Sequence, residues 1–395
     1  MSHPPAKRLL MLTSSYPRWP GDFAGCFVAE FAQTLSQYFE ITVLVPSSRG
    51  DQPMLGNVKV KRFNYFWPVR FQQLDASIDL QPLLQKSWWA RLQVVPLMLT
   101  FFWQALCLAR QADLICAHWL VPGGLVAALV AQLRHKPLVV IEHSGAVHLL
   151  ANLPLGRYLA RFIARQACQV VVVSQYLKAR WQALCPQVAT PTVVIPMGLD
   201  CAFFTPQSDS VNNATVLFLG RLTPIKGVDL LIKALAGLAN VNLIVAGDGS
   251  QREELKQLAQ QYQVVTQFVG AVDAQQKRKL LQVATLVVIP SRVLSDQRTE
   301  GTPIVCLEAF ASHKAVIASR VGGLAELIEH EATGLLVPVG DAKALQEAVC
   351  RLLADDKLRN RLGQQAAQVA QMYDWQIIGA QYYQVLTKCL NHTEK

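Results

Sequence analysis

The chain has 395 residues, of which 52% are apolar and 16% are charged, and this composition excludes an intrinsically disordered protein. At roughly 150 residues per domain, the length predicts two or three domains. The net charge of +10 is uneven, because residues 1–200 carry 18 basic and 9 acidic side chains whereas residues 201–395 carry 19 and 18. The basic half lacks dense lysine and arginine clusters, so an anionic membrane surface or a phosphorylated acceptor suits it better than nucleic acid.

Apolar segments of strand length alternate with helical segments along almost the whole chain. The first half has predicted strands at 8–13, 40–45, 58–63, 114–118, 137–142 and 170–174, with helices at 27–37, 124–133 and 158–166. The second half has predicted strands at 215–219, 241–246, 265–269, 285–290, 315–319 and 335–339, with helices at 226–238, 251–262, 303–311 and 342–354. Continuous apolar strands joined by helices indicate parallel sheets covered on both faces.

A stretch containing proline, glycine and polar residues interrupts this alternation at 196–210. We therefore predict an α/β protein with two Rossmann-like, doubly wound domains joined near residue 205. Two such domains face each other across a cleft, which is the default place for a ligand.

Residues 92–109 form an apolar segment about as long as a bilayer span. The segment includes Gln93, Pro96 and Gln104, and a predicted strand follows it almost at once. We favour a helix buried in the domain core over a membrane-associated helix. A true span is the least favoured reading, because it would cut the first domain in two.

Two cations flank the loop after the first strand of the second half. Arg221 follows the strand at its carboxyl end, and Lys226 stands at the start of the next helix. Ligands of open α/β sheets bind at this edge, where two fixed cations can neutralise a diphosphate without a metal ion. The alternative is that both are ordinary surface charges.

Two glutamates lie in the segment E-G-T-P-I-V-C-L-E. Pro303 suits the first turn of a helix, which places Glu300 on the preceding loop and Glu308 inside the helix. Apolar neighbours surround Glu308, and a buried carboxylate needs donors such as ligand hydroxyls. The alternative is a capping glutamate and an exposed helical one.

These segments resemble a known family. G-R-L-T-P-I-K-G, E-G-T-P-I-V-C-L-E-A, A-S-R-V-G-G-L-A-E-L-I and T-G-L-L-V-P are similar to the donor half of the retaining group 1 glycosyltransferases, which are family 4 and have the GT-B fold. Y-P-R-W-P-G-D-F-A-G-C-F-V-A-E, A-H-W-L-V-P-G-G, I-E-H-S-G and I-P-M-G-L-D agree in the first half. The resemblance implies an acceptor-binding domain at 1–205, a donor-binding domain at 206–374, and a final helix at 375–395 that packs back on the first domain.

The resemblance implies a metal-independent, retaining hexosyltransferase whose co-substrate is a UDP- or GDP-type nucleotide-sugar, with no cofactor. The acceptor would be a glycan or lipid-linked glycan in the biosynthesis of cell-surface polysaccharide, lipopolysaccharide or exopolysaccharide. The enzyme would be cytoplasmic, or peripheral on the inner face of the cytoplasmic membrane. The leaving phosphate would take the acceptor proton on the same face, so no carboxylate nucleophile is needed.

The resemblance also assigns roles in catalysis. Arg221 and Lys226 would hold the diphosphate and stabilise the leaving group. Glu300 would contact the donor sugar, and His143 would reach that sugar from the first domain. In the family an aspartate often follows this histidine, whereas Ser144 follows it here.

Five further positions would bind the donor by the same resemblance. Glu308 would bind the ribose, and the backbone amides of Gly301 and Thr302 would face the sugar or phosphate. Gly21 and Gly25 would line the phosphate side from the first loop of the chain.

The chain departs from the family pattern in the second half as well. His313 stands where the family has glycine, and histidine tolerates a positive φ better than most residues, so we expect the turn to persist. The polar insertion at 292–299 is expected to close over the donor.

A further GT-B enzyme, such as a nucleotide-sugar epimerase, and a non-catalytic membrane-associated homologue are the alternatives. A nicotinamide oxidoreductase is disfavoured because the first loop, S-S-Y-P-R-W-P-G-D, lacks G-x-G-x-x-G. The spacing of His118, His143 and His148 does not predict a metal site, and the nine cysteines include no C-x-x-C pair.

Aromatic and basic residues occur together in the first half, at 61–70 and at Trp88, Trp89 and Arg91. Such a mixture is typical of an interfacial segment, with rings at the headgroup level and cations on anionic lipid. It predicts that the first domain docks on the cytoplasmic leaflet. The alternative is that the rings pack in the core and the excess charge is solvated surface.

Overall fold

A computed structural model describes residues 6–393 apart from 23, 49, 53–55, 75–82, 85, 144, 207–213, 296 and 302. The chain divides into two compact units. The N-terminal unit comprises Met1–Val173, Leu177–Pro196 and Ile378–Lys395, and the C-terminal unit comprises Ser174–Tyr176 and Met197–Ile377.

The N-terminal unit is built on a seven-stranded parallel sheet in the order β3-β2-β1-β4-β5-β6-β7. Its strands are β1 Arg8–Leu12, β2 Glu40–Pro46, β3 Lys59–Phe63, β4 Leu114–His118, β5 Leu138–Glu142, β6 Gln169–Val172 and β7 Thr192–Val194. Its helices are α1 Cys26–Leu35, α2 Trp88–Leu108, α3 Leu125–Arg134, α4 Gly145–Asn152, α5 Gly156–Gln166 and most of α6 Gln175–Leu184. A parallel sheet requires such crossovers, which is why helices alternate with strands.

The C-terminal unit has a six-stranded parallel sheet in the order β10-β9-β8-β11-β12-β13. Its strands are β8 Ala214–Leu219, β9 Val241–Ala246, β10 Thr266–Gly270, β11 Leu286–Ile289, β12 Ala315–Ser319 and β13 Leu335–Val337. The helices are α7 Cys201–Phe204, α8 Val228–Leu235, α9 Arg252–Gln261, α10 Ala274–Val283, α11 Ile304–Ala311, α12 Leu324–Leu327, α13 Ala342–Ala354, α14 Asp356–Gln371 and α15 Trp375–Thr393.

Successive strand residues of the C-terminal unit enter opposite cores. Val216 and Phe218 pack in one buried cluster, whereas Leu217 and Leu219 pack in another. This alternation explains why the central strands β8, β11 and β12 are largely apolar, since helices cover both faces of the sheet there. The prediction of doubly wound parallel sheets agrees with this arrangement.

The boundary between the units lies at Pro196–Met197, earlier than residue 205. Leu199 explains the difference, because its backbone N–H donates to the carbonyl of Tyr373 at 2.9 Å and its carbonyl accepts from Trp375 at 3.0 Å. Cys201 and Phe204 then pack into the core of the C-terminal unit.

Helix α15 begins in the C-terminal unit and continues into the N-terminal unit from Ile378. Tyr382 is fully buried, and its ring meets that of Phe31 edge to face at 4.9 Å. Its hydroxyl donates to the carbonyl of Ile195 at 2.9 Å. The last helix is therefore part of the N-terminal core.

The turn at His313 agrees with the sequence prediction, whereas the burial of the helix at 92–109 does not. His313 has a φ of 56°, so the turn that the family builds with glycine persists with histidine. The expectation that 92–109 forms a helix buried in the core is wrong for one of its faces. Helix α2 buries only the side that faces α3, β2 and β3, and the opposite side is exposed.

The hydroxyl of Tyr382 provides a test of how α15 is held. Tyr382→Phe should lower the free energy of unfolding by about 1–2 kcal/mol, because it leaves the buried Ile195 carbonyl without this donor. Tyr383→Phe is the matched control, since Tyr383 stacks on Tyr38 at the surface through its ring. Urea unfolding of both variants checks this, and equal stability of the two would contradict it.

Candidate active site

The loops after β8 and β11 meet at the carboxyl edge of the C-terminal sheet, because these parallel strands are neighbours. Gly227 ends the turn Pro224–Lys226 with a φ of 66°, and a Cβ there would lie 2.0 Å from the carbonyl oxygen of Pro290. Only glycine permits this approach. The contact fixes the turn that carries Lys226 beside the loop that follows β11.

Lys226 and Glu300 form an ion pair at this edge. The Nζ of Lys226 lies 2.7 Å from Oε1 of Glu300, and the hydroxyl of Ser291 donates to the same oxygen at 3.1 Å. Gly322 has a φ of 50°, and a Cβ there would lie 2.2 Å from the carbonyl oxygen of Glu300. Three loops, after β8, β11 and β12, therefore position one half-buried carboxylate.

Arg221 stands just beyond β8, and its side chain is exposed. Within the part of the chain that the structure describes, it has no acidic partner. Lys226 differs in this respect, because Glu300 balances its charge. The edge therefore presents a guanidinium that is available to an anion, and its planar fork matches phosphate oxygens.

Glu308 is buried in α11, where the sequence predicts that a carboxylate needs a donor. The donor in this structure is Lys277, whose Nζ lies 2.5 Å from Oε1 of Glu308. Sequence reasoning missed Lys277 because it did not predict α10. The signal was available, since Asp273 and Gln276 form a capping box at the start of that helix.

The structure describes Gly301 and most of the loop at 292–299 but not Thr302. Gly301 is buried beside Glu300, and Thr302 lies outside the described residues. The loop at 292–299 starts from Arg292, whose guanidinium lies 2.7 Å from Asp229. Closure of this loop over a donor remains a prediction.

His143 follows β5 and pairs with His118, which ends the neighbouring strand β4. The two rings are parallel, with centroids 5.2 Å apart, and Nδ1 of His118 lies 2.9 Å from Nε2 of His143. Sequence reasoning treated His118 as a core or donor-facing residue and missed this pair. Across the described ranges, no three His, Cys, Asp or Glu side chains are grouped to hold a metal ion.

Both imidazoles are neutral at pH 7. Burial lowers the pKa of His143 to about 3, and burial followed by the charge of His143 lowers the pKa of His118 well below its usual value. The Nε2 of His118 is buried without a hydrogen-bond partner in the described structure. Because a buried N–H without an acceptor is rarer than a buried acceptor without a donor, we infer that His118 donates through Nδ1 to Nε2 of His143. His143 then carries its proton on Nδ1.

Gly21 and Gly25, the two glycines predicted in the first loop, both have a positive φ, which favours glycine. Gly25 precedes α1 with a φ of 67°, and a Cβ there would lie 2.7 Å from the carbonyl of Ser15. Gly21 has a φ of 90°. Between them, the buried Asp22 binds Arg18 at 2.7 Å, which fixes the loop. Contact of either glycine with a phosphate remains a prediction.

The buried pair His118–His143 predicts that the folded state loses stability as the pH falls. Below pH about 6.5 the unfolded chain binds protons that the native pair excludes, so the free energy of unfolding should fall by about 1.4 kcal/mol per pH unit for each histidine. His143→Gln should reduce this slope between pH 7.5 and 5. His135→Asn is the control, because His135 is exposed and its positive φ suits asparagine. Identical slopes for wild type and His143→Gln would contradict the assignment.

Comparisons with known proteins cover both units. A family model described as Glycosyltransferase Family 4 matches residues 24–203, and one described as Glycosyl transferases group 1 matches residues 204–369. The phosphatidyl-myo-inositol mannosyltransferase of Mycolicibacterium smegmatis is 30% identical over 66% of this chain and 67% of its own. The GDP-mannose-dependent monoacylated alpha-(1-6)-phosphatidylinositol monomannoside mannosyltransferase of Corynebacterium glutamicum is 29% identical over 70% of this chain and 77% of its own.

Solved structures show the same fold. Sucrose-phosphate synthase from Thermosynechococcus elongatus has a TM-score of 0.78 at 22% identity and covers 98% of this chain and 100% of its own. Anabaena HepE in complex with UDP and glucose has a TM-score of 0.76 at 20% identity and covers 97% of this chain and 100% of its own. The prediction of two Rossmann-like domains of the GT-B class is confirmed. The chain belongs to the group 1, family 4 glycosyltransferases.

Proposed function

We propose that this glycosyltransferase moves a hexose from a UDP- or GDP-type nucleotide-sugar to a lipid-linked glycan with retention of configuration and without a metal ion. The observation that carries the proposal is the cationic edge of the C-terminal sheet, where Arg221 is exposed beside the Lys226–Glu300 pair. The acceptor class places the reaction in the synthesis of cell-surface polysaccharide, lipopolysaccharide or exopolysaccharide. The enzyme acts in the cytoplasm, peripherally on the inner face of the membrane.

In this proposal the diphosphate binds by charge exchange. Its oxygens take the place of the Glu300 carboxylate on Lys226 and accept the fork of Arg221. Helix α8 begins at Val228 directly after these groups, so its N-terminal dipole adds to the positive field. Negative charge grows on the leaving phosphate as the glycosidic bond breaks, and fixed cations stabilise that charge most in the transition state.

The carboxylates of the C-terminal unit are better suited to binding than to nucleophilic attack. Glu300 already accepts from Lys226 and Ser291, and Glu308 accepts from Lys277. The scheme has the leaving phosphate take the acceptor proton on the same face, so that neither carboxylate forms a bond to the sugar. In this scheme, displaced Glu300 accepts from a sugar hydroxyl, and Glu308 accepts from the ribose.

His143 has a defined part in the same scheme. Because His118 occupies its Nε2, only Nδ1–H of His143 can serve the sugar. We assign His143 as a hydrogen-bond donor to a sugar oxygen and His118 as the residue that holds its tautomer. Gly301 and Thr302 would supply backbone amides, and the loop at Gly21–Gly25 would line the phosphate side.

The names of relatives support the substrate classes. The Corynebacterium glutamicum relative is GDP-mannose-dependent, and both mannosyltransferases named above act on phosphatidylinositol-type lipids by their names. The Anabaena structure holds UDP and glucose. A nucleotide-sugar donor and a lipid-anchored acceptor are thus both represented among proteins similar to this chain.

A donor panel tests the proposed function. The pure protein is mixed with UDP- and GDP-sugars and a lipid-linked acceptor, and released nucleoside diphosphate is measured with and without EDTA. We expect release with one donor class, unchanged by EDTA, and a product whose anomeric configuration by NMR matches the donor. Interconversion of the nucleotide-sugar without release would favour the epimerase alternative, and no reaction with any donor would favour a non-catalytic homologue.

The cations at the edge predict a large kinetic effect. Arg221→Ala or Lys226→Ala should lower turnover about 100-fold, the loss typical of one preorganised charge stabiliser. Arg221→Lys should also be slow, because an ammonium cannot reproduce the guanidinium fork. Lys233→Ala, at an exposed lysine in the last turn of α8, is the control and should be unaffected. Near-normal turnover of both alanine variants would refute the assignment.

Substitution of Glu308 and substitution of Glu300 should differ in their effect on nucleotide affinity. Glu308→Gln should weaken binding of a nucleoside diphosphate about tenfold, because a carboxylate acceptor to the ribose is lost. Glu300→Gln should not weaken it, since Lys226 is then released to the phosphate, but should slow transfer. Calorimetry with the bare nucleotide measures both effects. Equal loss of affinity in the two variants would contradict the division of roles.

A further inference from the structure

Helix α2 is attached to the N-terminal unit by one face. Its buried residues are Ala90, Gln93, Leu97, Phe101 and Ala105. The amide of Gln93 accepts from the backbone of Gln73 at 2.9 Å and donates to the carbonyl of Phe71 at 2.7 Å. A helix fixed in this way to its own domain cannot cross a bilayer, although its length and apolar composition would suffice for a span.

The opposite face of α2 is a stripe of large apolar side chains in water. Its residues and their exposed fractions are Trp88 70%, Leu92 57%, Val95 62%, Leu99 64% and Trp103 63%. They recur every third or fourth position, so with 3.6 residues per turn they share an arc of about 80°. Water-exposed apolar patches of this extent mark interaction sites.

Neighbouring segments extend the apolar stripe at both ends. Near the first turns, the turn Val69–Phe71 is held by Gln93, and Trp67 and Phe71 are exposed. Near the last turns, the guanidinium of Arg134 on α3 donates to the carbonyl of Leu106, and Leu133 is exposed. The patch therefore belongs to the folded unit and not to α2 alone.

The described segments on both sides of residues 75–82 are rich in basic side chains. Residues 59–74 and 83–112 contain seven basic residues and no acidic residue. Six of the seven are exposed, namely Lys59, Lys61, Arg70, Lys86, Arg91 and Arg110. Lys59 also lies 3.7 Å from Glu40. Arg62, which the sequence suggested as a lipid contact, is instead half-buried and lies 3.1 Å from Asp51.

We propose that the apolar stripe of α2 is inserted in the plane of an anionic membrane surface, a step that rests on the lipid-linked acceptor of the proposed function. Tryptophan at each end of the stripe and flanking cations are the features of an in-plane interfacial helix. A second copy of the chain is disfavoured as the occupant, because it would bring two predominantly basic surfaces together. An in-plane helix enters about 5–10 Å into the headgroup region, which holds the acceptor-binding unit where a lipid-linked glycan begins.

Vesicle co-sedimentation of the full chain tests this surface. The probes are vesicles of phosphatidylcholine alone and vesicles of phosphatidylcholine and phosphatidylglycerol in similar amounts. The triple variant Trp88→Ser, Leu99→Ser, Trp103→Ser should bind the anionic vesicles about 1,000-fold more weakly, since each apolar side chain moved from water to lipid is worth roughly a factor of ten. Wild type should keep part of its binding in roughly 1 M salt, where electrostatic attraction is screened.

A control variant removes three exposed apolar side chains elsewhere. Val265→Ser, Val283→Ser, Val339→Ser replaces three exposed valines of the C-terminal unit and should bind vesicles as wild type does. No vesicle binding by wild type, or equal binding by the two triple variants, would overturn the proposal. Binding abolished by salt alone would also overturn it, because docking would then be purely electrostatic. A stripe variant that turns a dimer into a monomer without changing vesicle binding would assign the stripe to self-association instead.

Activity measurements separate this surface from the proposed chemistry. Vesicle binding is measured without donor, so it does not depend on the transfer reaction. The stripe variant should transfer sugar normally to a detergent-solubilised acceptor and poorly to the same acceptor in vesicles. Wild-type vesicle binding without any transfer would refute the proposed function and leave the docking surface standing.

Discussion

The common direction of the strands is the constraint on which the candidate active site depends. In a parallel sheet every strand ends at the same edge, so the loops after β8, β11 and β12 are brought together although they are far apart in sequence. That edge carries Arg221, Lys226, Ser291 and Glu300. Close backbone contacts at Gly227 and Gly322 then set their separations, because any side chain there would collide with a carbonyl oxygen.

Two lysine–glutamate pairs show how the C-terminal unit keeps carboxylates partly out of water. An ion buried without a partner costs several kcal/mol, and an ion pair offsets that cost only with good geometry. Lys226 balances Glu300, and Lys277 balances Glu308. In the proposed complex, a bound diphosphate would replace Glu300 as the partner of Lys226, and a ribose hydroxyl would donate to Glu308. Each ligand group would then meet a charge that is already partly balanced. Arg221 has no such balancing carboxylate among the described residues, and this imbalance is the reason we propose that an anion binds at this edge.

Much of the fold could be predicted because burial on both faces makes each strand apolar, and those strands dominate the pattern. Short or polar elements were missed, such as the three-residue strand β7 at the sheet edge and the amphipathic helices α10 and α14. The motif residues could be named from the sequence, but their partners could not. Lys277 belongs to an unpredicted helix, and His118 meets His143 only through the register of β4 and β5. The exposed stripe of α2 was hidden by its composition, since apolar residues on both faces give no periodicity.

The central claim is that the Arg221–Lys226 edge receives the diphosphate of the donor. A crystal structure of the protein with a bound nucleoside diphosphate measures this directly. The account predicts phosphate oxygens within hydrogen-bond distance of the Arg221 guanidinium and the Lys226 Nζ, with Lys226 and Glu300 moved apart from their present 2.7 Å. A diphosphate bound elsewhere, with the Lys226–Glu300 pair intact and Arg221 still in solvent, would contradict it.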